Sequence, residues 1–529
     1  MNTNTFKLSL GALASSFMPI VSAALYSSPV STDYGLIQGY PAFNSSPSGN
    51  LTNWQNIAVW KNIPFAATTA GNNRWRAPQP ASPWNVTLDA KDFGNICPGS
   101  SSNTDYVVSE DCLNLNVWSA ANSTSAKLPV VMWTYPAAST ARDPLFDGAG
   151  MADAGVVFVN YNYRASSLGW LAHPQLSEEF YAVTGSNSSG NWAMLDQFAA
   201  LKWIHENIAA FGGDPNHITV MGQSAGSAAS QHILNSNLTK GLFVGAIVQS
   251  GVRDPYDPLC SSLAENYITL DTALENGIQF FASNNVTTLE EMRALPLADF
   301  TAASGRKSVS FTAVLDYYAM PDTYYNTLVK GLASDVPVMT GNTKDESGAE
   351  YGLNISLATY ISDLNTTYGA VWAPKFLAEY PANDSTTASA AYNAQWTDRS
   401  KIGTWMWSGL WATAKNFPVY NYYWDHAPPG QSQGAHHESE INYVMNNLYG
   451  TDLPWTVEDY AIAKKMNSYW VNFIKTGNPN GNNLTQWDPA VNSSAVVQRV
   501  GDGWGSLPIA STEAQIQVVK DWFATLKAY

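Results

Sequence analysis

Cysteine is nearly missing from this chain: three in 529 residues, at Cys97, Cys112 and Cys260. So few exclude a disulfide-dense small scaffold, and without Cys/His clusters of metal-binding spacing no zinc site is expected. Charge is also scarce, at 13% of residues, and positive charge scarcest: 26 Lys and Arg against 42 Asp and Glu leave a formal net charge of −16. An anionic surface disfavours nucleic acid and anionic membranes, so neither is expected as a partner. Beyond the first two dozen residues no apolar run is long enough to span a bilayer. The closing DWFATLKAY, from Asp521, has neither an apolar tail nor a retention tetrapeptide, so no lipid anchor is expected.

What is present in quantity is apolar surface, at 45% of residues, enough to close a large core. The length allows two or three ordinary domains, but α/β enzymes often run this long as one unit, and no linker divides the chain. A single domain over 24–529 is the expectation. Ahead of it, residues 1–23 combine one lysine, an apolar stretch from Leu8 to Val21 and small residues up to Ala23. That is the pattern of a secretory signal peptide, and it implies a secreted, extracellular protein.

Acceptors of the Asn-x-Ser/Thr type accompany it throughout, at Asn44, Asn50, Asn85, Asn122, Asn187, Asn237, Asn285, Asn354, Asn365, Asn383, Asn483 and Asn492. Their spread fits a secreted glycoprotein. In an oxidising compartment Cys97 and Cys112 are expected to bridge a short loop, leaving Cys260 free and buried.

Short β-branched runs alternate with helical periodicity from Leu128 onward: LPVVMW, GVVFVNYNY from Gly155, HITVMG from His217, VGAIVQSG from Val244, VPVMTGNT from Val336 and VYNYYWDH from Val419. Doubly covered parallel strands read this way, and the alternation predicts an α/β fold with a mostly parallel sheet. Met194, Leu195, Phe198, Leu201, Ile204 and Ile208 recur at helical spacing before Gly212, predicting a helix with a glycine stop. Residues 254–335 and 356–415 look helical and polar and read as insertions over the sheet.

Gly222-Gln223-Ser224-Ala225-Gly226 matches G-x-S-x-G between a strand and a helix-compatible stretch. A serine at such a turn projects its hydroxyl above the sheet, and the glycines make room for the turn. The hydroxyl needs a base, and the base an anionic partner. With the chain order Ser, acid, His, the loop GAHHESEIN offers His436 and His437, with His426 as a rival; His173, His205, His217 and His232 read as structural. Asp345 and Glu346, in the loop after VPVMT, both qualify as the acid, and their chemistry alone does not separate them.

Several stretches taken in order resemble the type-B carboxylesterase family of cholinesterases, fungal lipases, sterol esterases and the non-catalytic neuroligins. They are NIPFAATTAGNNRWRAPQ from Asn62, EDCLNLNVW from Glu110, VNYNYR ending at Arg164, GNWAMLDQ from Gly190, FGGDP from Phe211, GQSAGS from Gly222 and TGNPNG from Thr476. The resemblance covers nearly the whole mature chain. It implies the α/β-hydrolase fold with helical insertions over the active site, no cofactor, and a small-molecule ester as partner. It implies Ser224 as nucleophile, Glu346 as acid and His437 as base, with Ser250 supporting the acid and Glu440 three residues beyond the base. It also implies the Cys97–Cys112 disulfide and the buried ion pairs Arg74–Glu110 and Arg164–Asp196.

Departures from the family pattern bear on substrate. The glycine-rich segment that stabilises the oxyanion is replaced by Tyr135-Pro136-Ala137-Ala138, where Ala137 and Ala138 keep the N–H groups that, with Ala225, would form the oxyanion hole. A lost donor there typically costs about 100- to 1000-fold in turnover. Gln223 is neutral where cholinesterases carry glutamate, which disfavours choline esters. The short Cys97–Cys112 loop points to soluble or small apolar esters in preference to lipid droplets. Two other readings differ in kind. An acyltransferase or cyclase on the same triad would be told apart by its products, and a neuroligin-like binding protein by an incomplete triad.

Overall fold

In the computed structural model, residues 24–49, 51–263, 266–301, 309 and 311–529 are described, together with Met1. Residues 2–23, where a signal peptide is expected, and Asn50 lie outside the described residues. Among the described residues an eleven-stranded sheet runs through the molecule. In chain order its strands are β1 (Tyr40–Pro41), β2 (Ala58–Pro64), β3 (Asn114–Ser119), β4 (Leu128–Thr134), β5 (Val157–Tyr161), β6 (Gly213–Gln223), β7 (Gly245–Gln249), β8 (Val338–Thr343), β9 (Val419–Trp424), β10 (Val496–Val500) and β11 (Gly505–Pro508). The spatial order is β11-β10-β9-β8-β7-β6-β4-β5-β3-β2-β1. Pairing is parallel from β10 across to β5 and antiparallel at both edges.

The central strands read as continuous apolar runs because both faces are covered. Val130, Met132, Val157, Val159, Val220 and Val248 point to one core, which contains Met194, Leu201 and Ile204 of α1 (Trp192–Asn207) and Ile233 of α2 (Ala225–Asn235). Val131, Trp133, Phe158, Met221 and Ile247 point to the other, closed by a later helix through Met466, Tyr469, Trp470 and Phe473.

The stretch 356–415 departs from its reading as a polar insertion. It forms α3 (Leu357–Glu379) and α4 (Ser385–Ala414), and α4 packs on β8, β9 and β10 with Trp407 and Trp411 in the first core. Part of its polar content is buried as ion pairs, Arg399 with Asp257 and Lys401 with Asp398. The other large helices are α5 (Val457–Thr476) and α6 (Glu513–Phe523). No described helix is long and apolar enough to cross a membrane. Cys97 and Cys112 form a disulfide, while Cys260 is buried, with its thiol donating to the Asp254 carbonyl at 3.0 Å. The ion pairs Arg74–Glu110 at 2.6 Å and Arg164–Asp196 at 2.7 Å are both buried. All eleven described sequon asparagines are exposed.

Candidate active site

β6 runs into α2 through Ser224, whose backbone sits at φ 56° and ψ −121°, a region that strains any residue with a side chain. The turn leaves no space beside it. A Cβ on Gly222 would stand 2.1 Å from the Gly226 carbonyl oxygen, and one on Gly226 would stand 1.9 Å from that of Thr134. The Ser224 N–H donates to the Gln249 carbonyl at 3.0 Å, which ties the elbow to β7. The half-buried hydroxyl therefore stands at the end of the sheet, at the N-terminus of α2.

The two acidic candidates after β8 take different partners. Glu346 is buried; its Oε1 accepts from the Thr343 N–H at 2.9 Å and the Ser250 hydroxyl at 3.2 Å, and its Oε2 lies 2.6 Å from His437 Nδ1. Asp345 instead clasps the histidine loop: its N–H donates to the Ala435 carbonyl at 3.0 Å, and its Oδ2 accepts from the Ala435 N–H at 2.7 Å. Among the described residues no hydrogen bond joins the Ser224 hydroxyl to His437. The Gln223 amide nitrogen stands 3.4 Å from both His437 ring nitrogens.

Electrostatics sharpen the arrangement. Burial pushes the Glu346 carboxyl up, but the His437 hydrogen bond and charge, Arg253 and the Thr343 N–H outweigh it and hold it below its usual range. Burial pushes His437 down, and its bond to Glu346 together with the charges of Glu346, Glu440 and Glu438 raises it above an ordinary histidine. Glu440, fully buried with Oε1 accepting from the Gln249 amide at 3.0 Å, is pushed by burial up to about 7.

A cavity of about 430 Å³ opens over Ser224, lined by Ala137, Ala138, Ala225, Tyr135, Trp170 and His232 among others. Ala138 takes φ 60°, the left-handed conformation that glycine would adopt freely, so the backbone keeps this shape at a strain of about 1–2 kcal/mol. Trp170 is therefore one tryptophan that lines the cavity, whereas Trp60, Trp133, Trp203 and Trp470 are buried in the core. His232, read from the sequence as structural, is among the residues lining this cavity.

Arg253 escaped the sequence reading altogether. Buried just beyond β7, its Nη1 donates to Asn342 Oδ1 and its Nη2 to Ser347 Oγ, each at 2.5 Å, so it brackets the loop carrying Glu346. A lone arginine in VRDPY carries no local signal of burial. His426, the rival base, has both ring nitrogens occupied, 2.5 Å from Asp502 and 2.9 Å from Asp459.

The Carboxylesterase family model matches residues 27–502. A fumonisin B1 esterase of Sphingopyxis macrogoltabida is 31% identical over 460 residues, covering 82% of this chain and 81% of its own. A para-nitrobenzyl esterase of Bacillus subtilis (strain 168) is 30% identical, covering 85% and 90%. A solved PNB esterase structure superposes with a TM-score of 0.73 at 26% identity, covering 93% of this chain and 99% of the esterase.

Proposed function

Because the chain belongs to the carboxylesterase family, and so is a carboxylic ester hydrolase, we propose that it cleaves uncharged carboxylic esters through an acyl-enzyme on Ser224. The observation that carries this reading is the 2.6 Å contact of His437 Nδ1 with buried Glu346, in a site whose elbow presents Ser224 to a cavity. Ser224 Oγ attacks the ester carbonyl while His437 Nε2 takes its proton. Glu346 holds the ring and stabilises the imidazolium, Ser250 and Arg253 hold the acid in place, and the N–H groups of Ala137, Ala138 and Ala225 receive the oxyanion. The imidazolium protonates the departing alcohol. Water activated by His437 then attacks the acyl carbonyl, and the acid leaves. The contact between Ser224 and His437 forms as the ester seats.

The same reading makes residues 24–529 one secreted domain, glycosylated at exposed sequons, released by cleavage near Ala23, and acting without a cofactor. Neutral Gln223 disfavours choline esters, and the short Cys97–Cys112 loop favours soluble esters. Hydrolysis of a short-to-long series of p-nitrophenyl acyl esters by the wild type and by Ser224→Ala tests the mechanism. Turnover by the wild type with the variant at background supports it. Background rates from both would assign the site to acyl transfer or to binding alone.

A further inference from the structure

His232 has an unusual position for a histidine that the reaction does not use. It sits on α2, where Ala225, Ala228, Ala229 and His232 follow the i, i+3, i+4, i+7 spacing of one helical face. All four line the cavity over Ser224. The three alanines make a smooth floor, and His232 is the first large polar side chain beyond them. It is 94% buried, since only 6% of its surface is exposed, with the edge of Trp170 against it. Neither ring nitrogen has a protein hydrogen-bond partner.

A second orphan faces the same cavity from α1, which packs on α2. Gln197 is 1% exposed, lines the cavity, and has no protein partner for its Oε1. Buried polar atoms without partners are rare, and each costs about 1–3 kcal/mol when left unmet. Two such side chains border one wall of the cavity, and between them one N–H donor and two acceptors lack a protein partner.

We propose that His232 and Gln197 form a polar subsite that binds an uncharged hydroxyl group of the ester substrate. The subsite rests on the reading of Ser224 as the nucleophile. A hydroxyl suits it because one oxygen can accept from the histidine N–H and donate to Gln197 Oε1 or to the other ring nitrogen. A carboxylate suits it less, because it has no proton to donate to Gln197 Oε1 or to the second ring nitrogen, and burial disfavours the charged form of His232 that would attract it. His232 lies eight residues along the helix from Ser224, about 12 Å at 1.5 Å per residue, so the recognised hydroxyl belongs several bonds from the ester carbon. The substrate class is therefore a hydroxylated ester, in contrast to a plain aliphatic one.

The test compares kcat/KM within isosteric pairs on both sides of the ester bond: p-nitrophenyl ω-hydroxyhexanoate against the heptanoate, and hexanediol monoacetate against heptyl acetate. The wild type is expected to favour the hydroxylated member of at least one pair by about 10- to 100-fold, the discrimination expected when a site left with unmet polar groups rejects an analogue. His232→Phe and Gln197→Leu are each expected to bring that ratio down toward unity. Should either variant fail to fold by near-UV circular dichroism, the wild-type ratio and the remaining variant decide. Ratios within about twofold in both pairs, ratios unmoved by the substitutions, or preference for an ω-carboxy ester would each overturn the subsite while leaving the Ser224 reading intact. No turnover of any ester, with Ser224 unreactive toward a fluorophosphonate, would overturn both.

Discussion

His426 and His437 both follow β9 and both touch carboxylates, yet only one can do acid–base work. His426 is saturated: Asp502 holds Nδ1 and Asp459 holds Nε2, while Tyr443 also donates to Asp459 at 2.7 Å and Asp459 caps α5 through Thr456. Its ring is a strut between β9, α5 and the turn before β11. His437 commits one nitrogen to Glu346 and keeps the other off any carboxylate, with a third of its side chain exposed. A base needs one nitrogen fixed and one free. The comparison teaches that a ring nitrogen left clear of any carboxylate, more than proximity to acid, separates a working histidine from a structural one.

The largest effect should come from the partner of the fixed nitrogen. Glu346→Gln is expected to lower kcat by about 10⁴-fold with the fold retained, because the amide no longer stabilises the imidazolium or selects its tautomer. Single-turnover kinetics with circular dichroism would check this, and a loss under tenfold would break the contrast. Next is Gly226→Ala, whose Cβ collides with the Thr134 carbonyl. It should cost about 1–3 kcal/mol in denaturant unfolding and displace Ser224.

For the saturated histidine the expectation is reversed. His426→Gln should leave kcat/KM within about threefold but lower stability by about 1–3 kcal/mol, since the buried Asp459 carboxylate loses a partner. Here pH separates the two residues further. Burial alone would lower His426, but its bonds to Asp459 and Asp502 raise it above 6.5 in the folded state. Its stabilisation is therefore fully present below about 6.5 and lost as pH rises through the raised value. The melting gap between wild type and His426→Gln should close on going alkaline. His437 must be neutral to accept a proton, and its value is also raised, so kcat/KM should fall as pH drops through a point above 6.5. The smallest effect belongs to Ala138→Gly, which relieves φ 60° but loosens the unfolded chain, for a net change of about 1 kcal/mol or less by thermal unfolding.

Much of this was legible from the chain alone. The six β-branched runs are strands β4 to β9, and the helix ending before Gly212 is α1, because hydrophobic periodicity records which faces are buried. The G-x-S-x-G turn was legible because its glycines answer to local sterics. The choice between Asp345 and Glu346 was not, since adjacent carboxylates differ only in where the loop points them. Nor was the burial of α4, whose ion pairs with Asp257 and within the helix disguise core as surface.

By itself, then, the sequence determined the strand and helix pattern, the elbow at Ser224 and the acidic, cysteine-poor character of the chain, because these depend on neighbours in order. Tertiary structure alone decided which histidine keeps a free nitrogen, that Arg253 brackets the acid loop, and that His232 and Gln197 share a wall of the cavity. Each of those depends on side chains tens to hundreds of residues apart in the chain, and only packing brings such partners together or leaves them without one.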